Sequence, residues 1–511
     1  MKTSTNQLIL PLNLQYIIPE DDPVILFNEI CEQLDYSKLY NQYLRHWRKH
    51  SPKTLFKLIA YGYIRGVYSG RGIESICRRD ICFMWLLNGE PVPDNSTLSR
   101  FQNEKLAGAI EDLFYQLVLK LYEMEEITFE NMFVDGTKIE ANANRYSFVW
   151  EGAVSKNAEK LASKIETFLV LMSDEYGQIF SSPEDCYEYL SERAKAIEFV
   201  YGKGKRKTPL QRNIEKLEEY IERSQKYAEC FKKFKGRKSY SKTDEDATFM
   251  RMKEDHMRNG QLKPAYNVQI GVEAEYIIGV GLFPNPTDVK TFIPFLERVK
   301  TGIRHKILNI IADAGYESEE NYVYLKNNEQ TAYIKPQNYE TSKKRAYKKD
   351  KFRVEHLEYN SDKDCFICPN GCELKFLYEK ETETENGIKI KRSYYRNDSC
   401  VGCPYRESCH KSKYDRRTLR VSHRFLEERR ESLANITSEK GIILRMNRSI
   451  QVEGAFGVIK EDYGFRRFLT RGKPKTETQF FLISFAHNIK KYFNKAKGER
   501  LKTELFEKEI A

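Results

Sequence analysis

Ile307-Leu-Asn-Ile-Ile-Ala-Asp-Ala-Gly-Tyr316 is an apolar run that ends in a carboxylate. Ile307–Ile311 has Asn309 as its one polar residue, which predicts a buried strand. The strand stops at Asp313, and Ala314-Gly315 lets the backbone turn sharply there. Met132-Phe-Val-Asp-Gly-Thr-Lys-Ile-Glu140 is built alike: apolar residues lead into Asp135 and β-favouring residues follow. Carboxylates at the ends of adjacent sheet strands converge on one edge, where ligands of such sheets bind.

Outward from these two stretches the pattern alternates. Residues 266–272 and 276–283 predict strands joined by a turn at Ala274-Glu275. Helices are predicted over 288–301 and 318–328, and a further strand over 332–335. That order predicts an α/β layer fold. Residues 150–243 predict helix, with Leu210, Ile214, Leu217, Ile221, Ala228 and Phe231 as a coiled-coil-like seam in which Ser224 fills one slot. Basic runs at 203–207 and 232–238 flank it, either as a solvated hairpin or as an arm touching phosphates. Residues 1–20 read as an irregular arm. Residues 23–125 read as short helices, with Arg71, Arg78, Arg79 and Arg100 suiting either a plain bundle or a helix-turn-helix-like module. Residues 416–440, 445–461 and 476–495 complete the chain as helices.

The chain has 511 residues and a net charge of 85 − 74 = +11, which is compatible with a polyanionic partner. Its length predicts two to four modules, and 40% hydrophobic residues exclude general disorder. No apolar run approaches the roughly 20 residues of a membrane span. Leu8–Ile18 is broken by Pro11, Asn13 and Gln15 and does not resemble a signal peptide. A cytoplasmic location with reduced thiols is therefore expected.

A third carboxylate, Glu453, lies in Arg448-Ser-Ile-Gln-Val-Glu-Gly-Ala-Phe-Gly-Val-Ile-Lys460. On a helix, Ile450, Phe456 and Ile459 would face the core, and Glu453 and Lys460 would project from one face. Three carboxylates suit hard divalent cations, and two such ions roughly 3.5–4 Å apart serve phosphodiester chemistry. Taken singly, a strand-terminal Asp often only caps a turn and a helical Glu is usually solvated. Asp244, Asp246 and Asp288 are candidates for supporting acids or for turn and cap roles, and His256 for a DNA contact or a surface or core role. Six cysteines fall in Cys365-x2-Cys368-x3-Cys372, then Cys400-x2-Cys403-x5-Cys409-His410. Cys365, Cys368, Cys400 and Cys403 form the simplest tetrahedral zinc set; the alternative is a patch of reduced thiols packing a small β module.

The chain resembles the DDE transposases of bacterial insertion sequences, in the ribonuclease-H-like superfamily. It looks closest to insertion-sequence family eleven-eighty-two, related to family four. The resemblance rests on residues 51–104, FVDGTKIEANANRY (133–146), DATFMRMKEDHMRNGQLKPAYNVQIGVE (246–273), IIADAGYESEENY (310–322) and VEGAFGVIKEDYGFRRFLTRG (452–472), in that order. It implies an α/β ribonuclease-H-like catalytic core with an all-α N-terminal domain, a helical insert and a Cys-rich insert. The implied division is 1–125 as a helical, DNA-binding domain and 126–149 as the first core strand. Residues 150–243 would be the basic helical insert, 244–345 core, 346–415 the Cys-rich insert, 416–495 the closing core helices and 496–511 a charged tail.

By that resemblance Asp135, Asp313 and Glu453 would bind two Mg²⁺ or Mn²⁺ ions. The family-four signature Tyr-x2-Arg-x3-Glu-x6-Lys is met at Glu453 and Lys460, so Lys460 would contact phosphate. Met446 stands at the Tyr position and Ser449 at the Arg position. Arg448 is one residue early, about 100° away around a regular helix. The implied activity is cleavage at the terminal inverted repeats and strand transfer into target DNA, by a homodimer on double-stranded DNA in the bacterial nucleoid. The alternatives are a catalytically silent DNA-binding protein on the same scaffold and a zinc-stabilised nuclease without strand transfer.

Overall fold

Asn131–Glu140 (β1) is buried at nearly every position, as expected of a strand covered on both faces. Two short strands, β2 (Phe148–Trp150) and β3 (Ser239–Ser241), pair with each other at the base of a helical excursion. β4 (Thr248–Arg251), β5 (Leu262–Glu273), β6 (Tyr276–Phe283), β7 (Asn309–Ala312) and β8 (Thr331–Ile334) then join β1 in one six-stranded sheet. Its order is β4-β5-β1-β7-β8, with β6 also on β5. β1, β5 and β6 are antiparallel neighbours, whereas β7 runs parallel to β1 and β8 parallel to β7. The structure, a computed structural model, describes residues 18–43, 49–195, 197–202, 205–252 and 261–507. The expected arm up to residue 17, Lys203 and His256 lie outside the described residues.

The β5–β6 hairpin turns at Ala274 and Glu275, both with positive φ (51° and 71°). Two-residue hairpins favour that geometry, but residues with a Cβ resist it. Contacts from the helix Lys473–Lys497 and its neighbours hold the turn: Gln451 Oε1 accepts from Glu275 N at 2.9 Å, and Lys491 and Arg500 pair with the Glu275 carboxylate. That helix is buried without interruption from Thr478 to Ile489 because it lies between two layers. On one side Phe485 meets Phe56 and Phe481 meets Phe114, both from N-terminal helices. On the other, Asn488 exchanges hydrogen bonds with Ile277 of β6. Arg298, on the helix Phe292–Ile303, binds both Glu111 and Glu477 and so ties three elements together.

The excursion consists of helices Glu151–Tyr176, Pro183–Ala194 and Pro209–Phe234. The expected seam is only half present. Ile214 and Leu217 are buried, but Ala228 and Phe231 are exposed, and Gln211 and Tyr220 complete the buried row instead. The helical reading of 416–440 also needs correction. Arg417–Val421 is a strand (β13), and the helix starts at His423. β13 closes an antiparallel sheet with β9 (Glu358–Asn360), β10 (Cys365–Ile367), β11 (Glu373–Glu383) and β12 (Lys389–Asn397). Its Arg417-Thr-Leu-Arg-Val421 alternates buried and exposed, a period of two hidden among charged residues.

Candidate active site and cysteine module

The parallel register sets the site. Phe133 of β1 faces Ile311 of β7, so Asp135 and Asp313, each two residues further on, reach neighbouring positions at the ends of that pairing. Asp135 lies within β1 rather than at its end, because β1 continues to Glu140 against β5. Asp313 directly follows β7, and its Oδ1 accepts from Gly315 N at 2.8 Å, capping the short turn Ala314–Tyr316. The cap reading and the site reading are therefore compatible at this residue.

Tyr316 brings further groups together. Its hydroxyl donates to Gln269 Oε1. Gln269 Nε2 in turn donates to Asp288 Oδ1 at 2.9 Å, which also accepts from Asn267 at 2.8 Å. Burial holds the Tyr316 phenol well above its ordinary range; the carboxylates of Asp288, Asp135 and Asp313 push it further, and Arg448 opposes them. Asp288 thus stands among the site carboxylates, while Asp244 and Asp246 do not. Asp244 accepts from Tyr266 and Gly472 N, Asp246 from Lys473 N, and both fasten the start of the last long helix to the sheet. A sequence cue for Asp288 existed only in the Asn285-Pro-Thr-Asp288 turn, which signals a loop and not a ligand.

Glu453 and Lys460 arrive on one interrupted helix. Glu439–Arg448 is α-helical, but Ser449–Glu453 and Val458–Asp462 are π-helical turns with Gly454–Gly457 between them. A π-turn inserts one residue into the helical repeat and is frequent at functional sites. Ile450 is consequently turned outward at 42% exposure, while Val452, Phe456 and Ile459 are buried. The same insertion corrects the expectation for Arg448. Five residues from Glu453, it would be out of line on an α-helix, but i and i+5 meet across a π-turn. Its Nη1 lies 3.5 Å from Asp135 Oδ2 and its Nη2 3.9 Å from Glu453 Oε1. Lys460 Nζ donates to Thr137 Oγ1 at 2.8 Å, two residues along β1 from Asp135. Glu453 itself keeps 63% of its side chain exposed. The donor chemistry suits a hard cation, yet among the described residues no three His, Cys, Asp or Glu side chains are grouped so as to hold a metal ion. The carboxylates as they stand do not form a finished ion site.

In the connections beside the five-stranded sheet, Cys368, Cys372, Cys400, Cys403, Cys409 and His410 line one small cavity of about 20 Å³. Cys365 does not. It sits on β10 at 1% exposure, outside that lining. Cys372 N donates to Cys368 Sγ at 3.3 Å, and Arg417 Nη1 to Cys409 Sγ at 3.2 Å. Burial pushes the Cys400 thiol up, and the thiols of Cys403, Cys409 and Cys368 add to that.

Two family models match the chain. One, described as Transposase DDE domain, covers residues 367–493, and the other, Transposase domain (DUF772), covers residues 12–104. The chain thus carries two transposase domains, one of them a DDE domain. The first match runs from the cysteine module through Glu453 and Lys460 into the last long helix, and it implies a ribonuclease-H-like core for the transposase. No curated protein and no solved structure matches it. No helix among the described residues of the transposase is long and apolar enough to cross a membrane.

Proposed function

We propose that this transposase cuts the ends of an insertion sequence and joins them to target DNA, with Asp135, Asp313 and Glu453 as its catalytic carboxylates. The observation that carries this reading is the parallel register, which sets Asp135 beside Asp313 while Arg448 links Asp135 to Glu453. Mg²⁺ or Mn²⁺, when bound by such carboxylates, supplies an activated water and stabilises the leaving oxygen. The chain's own part is to place negative charge at one sheet edge and positive charge beside it. Lys460, next to β1, is positioned to meet a phosphate as a point charge. Gln269, itself held by Tyr316, fixes Asp288 beside Asp135 through a hydrogen bond. Hydrolysis at the transposon end frees a 3′-OH, which then attacks a target phosphodiester without a covalent enzyme intermediate.

The finer reading follows the resemblance: membership of insertion-sequence family eleven-eighty-two, DNA contact by the helical residues 1–125, and a homodimer holding two ends in the cytoplasm. For the cysteine module we propose a structural zinc ion. The candidate set we favour is Cys400 with the three thiols that act on it, Cys368, Cys403 and Cys409; all four line the cavity, and Cys365 does not. Elemental analysis tests this, because Cys409→Ser should lose zinc and Cys365→Ser should keep it; zinc absent from the wild type would refute it.

The decisive experiment is a Mg²⁺-dependent cleavage and strand-transfer assay on terminal-repeat DNA. Asp135→Asn, Asp313→Asn and Glu453→Gln should each abolish both products and leave end binding intact. A variant that still cleaves would exclude its carboxylate. Binding without cleavage by the wild type would favour the silent DNA-binding alternative.

A further inference from the structure

Two arginine–carboxylate contacts in this protein differ in kind. Arg429 grips Glu317 with Nε and Nη2 at 2.7 and 2.9 Å, a two-point clamp on a fully buried carboxylate. Arg448 touches two carboxylates at 3.5 and 3.9 Å, too long for strong hydrogen bonds, and its buried Nη1 has no hydrogen-bond partner among the described residues. A buried N–H without a partner costs free energy, so this contact is not optimised as a structural brace. It does optimise charge. Asp135, Asp313 and Asp288 all act on the Tyr316 hydroxyl, and Arg448 opposes them. The guanidinium sits between Asp135 and Glu453, two of the groups that would have to share a divalent ion, and the π-turn is what puts it there.

We propose that Arg448 is the resident cation of this site. It neutralises Asp135 and Glu453 when no metal is bound, and a divalent cation must displace it to bring the carboxylates together. Once displaced, the guanidinium is available to a DNA phosphate next to Lys460. Metal entry and DNA-end capture are then coupled through one side chain. The inference rests on the reading of Asp135, Asp313 and Glu453 as cation-binding carboxylates.

The test is Mn²⁺ titration of the full chain without DNA, following free Mn²⁺ by electron paramagnetic resonance and scoring the binding that Asp313→Asn removes. Arg448→Gln should tighten that binding by about tenfold, the effect of removing a competing charge worth about 1.4 kcal/mol. Arg448→Lys, which keeps a cation, should stay near the wild type, and Arg448→Met replaces the Gln variant if that fails to fold. With terminal-repeat DNA, Arg448→Gln should weaken end binding more in Mn²⁺ than in its absence. Unchanged or weaker Mn²⁺ binding in Arg448→Gln would overturn the inference and leave the carboxylate reading standing. If Asp313→Asn and wild type bind Mn²⁺ alike, or neither binds it, both fall.

Discussion

Gly136, the residue after Asp135, is a position where one methyl group should reach the whole site. Its backbone needs no left-handed conformation, so the requirement for glycine is one of space. A Cβ there would stand 2.2 Å from Gln269 Nε2 and 2.9 Å from Asp288 Oδ1. The Gln269 amide would have to withdraw by more than an ångström to reach ordinary contact. That amide donates to Asn267 and Asp288 at 2.9 Å each and accepts from Tyr316, so it has no slack. Overpacking of this kind costs about 1–3 kcal/mol, and loss of the hydrogen bond to the Asp288 carboxylate about 1.5–3 kcal/mol. Replacing glycine within a strand returns about 0.5–1 kcal/mol. Gly136→Ala should therefore destabilise by about 3 kcal/mol, read as a lowered urea midpoint at unchanged slope. Truncating the obstacle isolates the cause: in a Gln269→Ala background, Gly136→Ala should cost less than about 1 kcal/mol. Additive effects of the two substitutions would refute the steric argument.

Three further outcomes are expected. His487 is fully buried, and burial, with Lys491 next, depresses it to about 4, so it folds neutral. Its contribution is complete above the ordinary value of about 6.5 and is lost as pH falls through 4; between pH 7 and 5 the urea midpoint should drop by the equivalent of about 2 kcal/mol, and His487→Gln should flatten that slope. Arg429→Ala strands the Glu317 carboxylate and should cost about 3–5 kcal/mol in urea unfolding, much of it recovered by adding Glu317→Gln; a loss under 1 kcal/mol would contradict the burial of that pair. DNA affinity, measured by fluorescence anisotropy, should fall steeply and linearly in log–log form with salt, as phosphate contacts release counterions; a salt-insensitive constant would contradict a basic interface.

The two Asp-bearing strands were legible because each is an apolar run with a single carboxylate, and a buried strand tolerates little else. What the sequence could not carry was register. Nothing in either segment says that Phe133 meets Ile311, yet that pairing brings Asp135 beside Asp313. The helix after Arg448 misled for a related reason. A 3.6-residue period predicts Ile450 inside, whereas the π-turn exposes it and buries Val452. The same one-residue slip brings Arg448 within reach of Asp135 and Glu453. The cysteine spacing announced a cluster but not its membership. Cys365 belongs to a strand whose partners are set by β9 and β11, and only the fold brings Cys409 to Cys368 and Cys400. Strand β13 was hidden because a charged alternating stretch satisfies helix and edge strand alike.

The helix Lys473–Lys497 has a consequence for how the protein is made. It supplies one wall of the N-terminal helical layer and one wall of the sheet, and it is synthesised after both. Until then Phe56 and Phe114 lack Phe485 and Phe481, and the Ala274-Glu275 turn lacks His487 and Lys491. A nonsense mutation ahead of residue 473 should thus release a chain whose first hundred residues cannot close their own core. Such a fragment would be cleared by proteases instead of persisting as a competitor for DNA. Synthesis through that helix would act as the checkpoint for DNA occupancy, a safeguard built from packing alone.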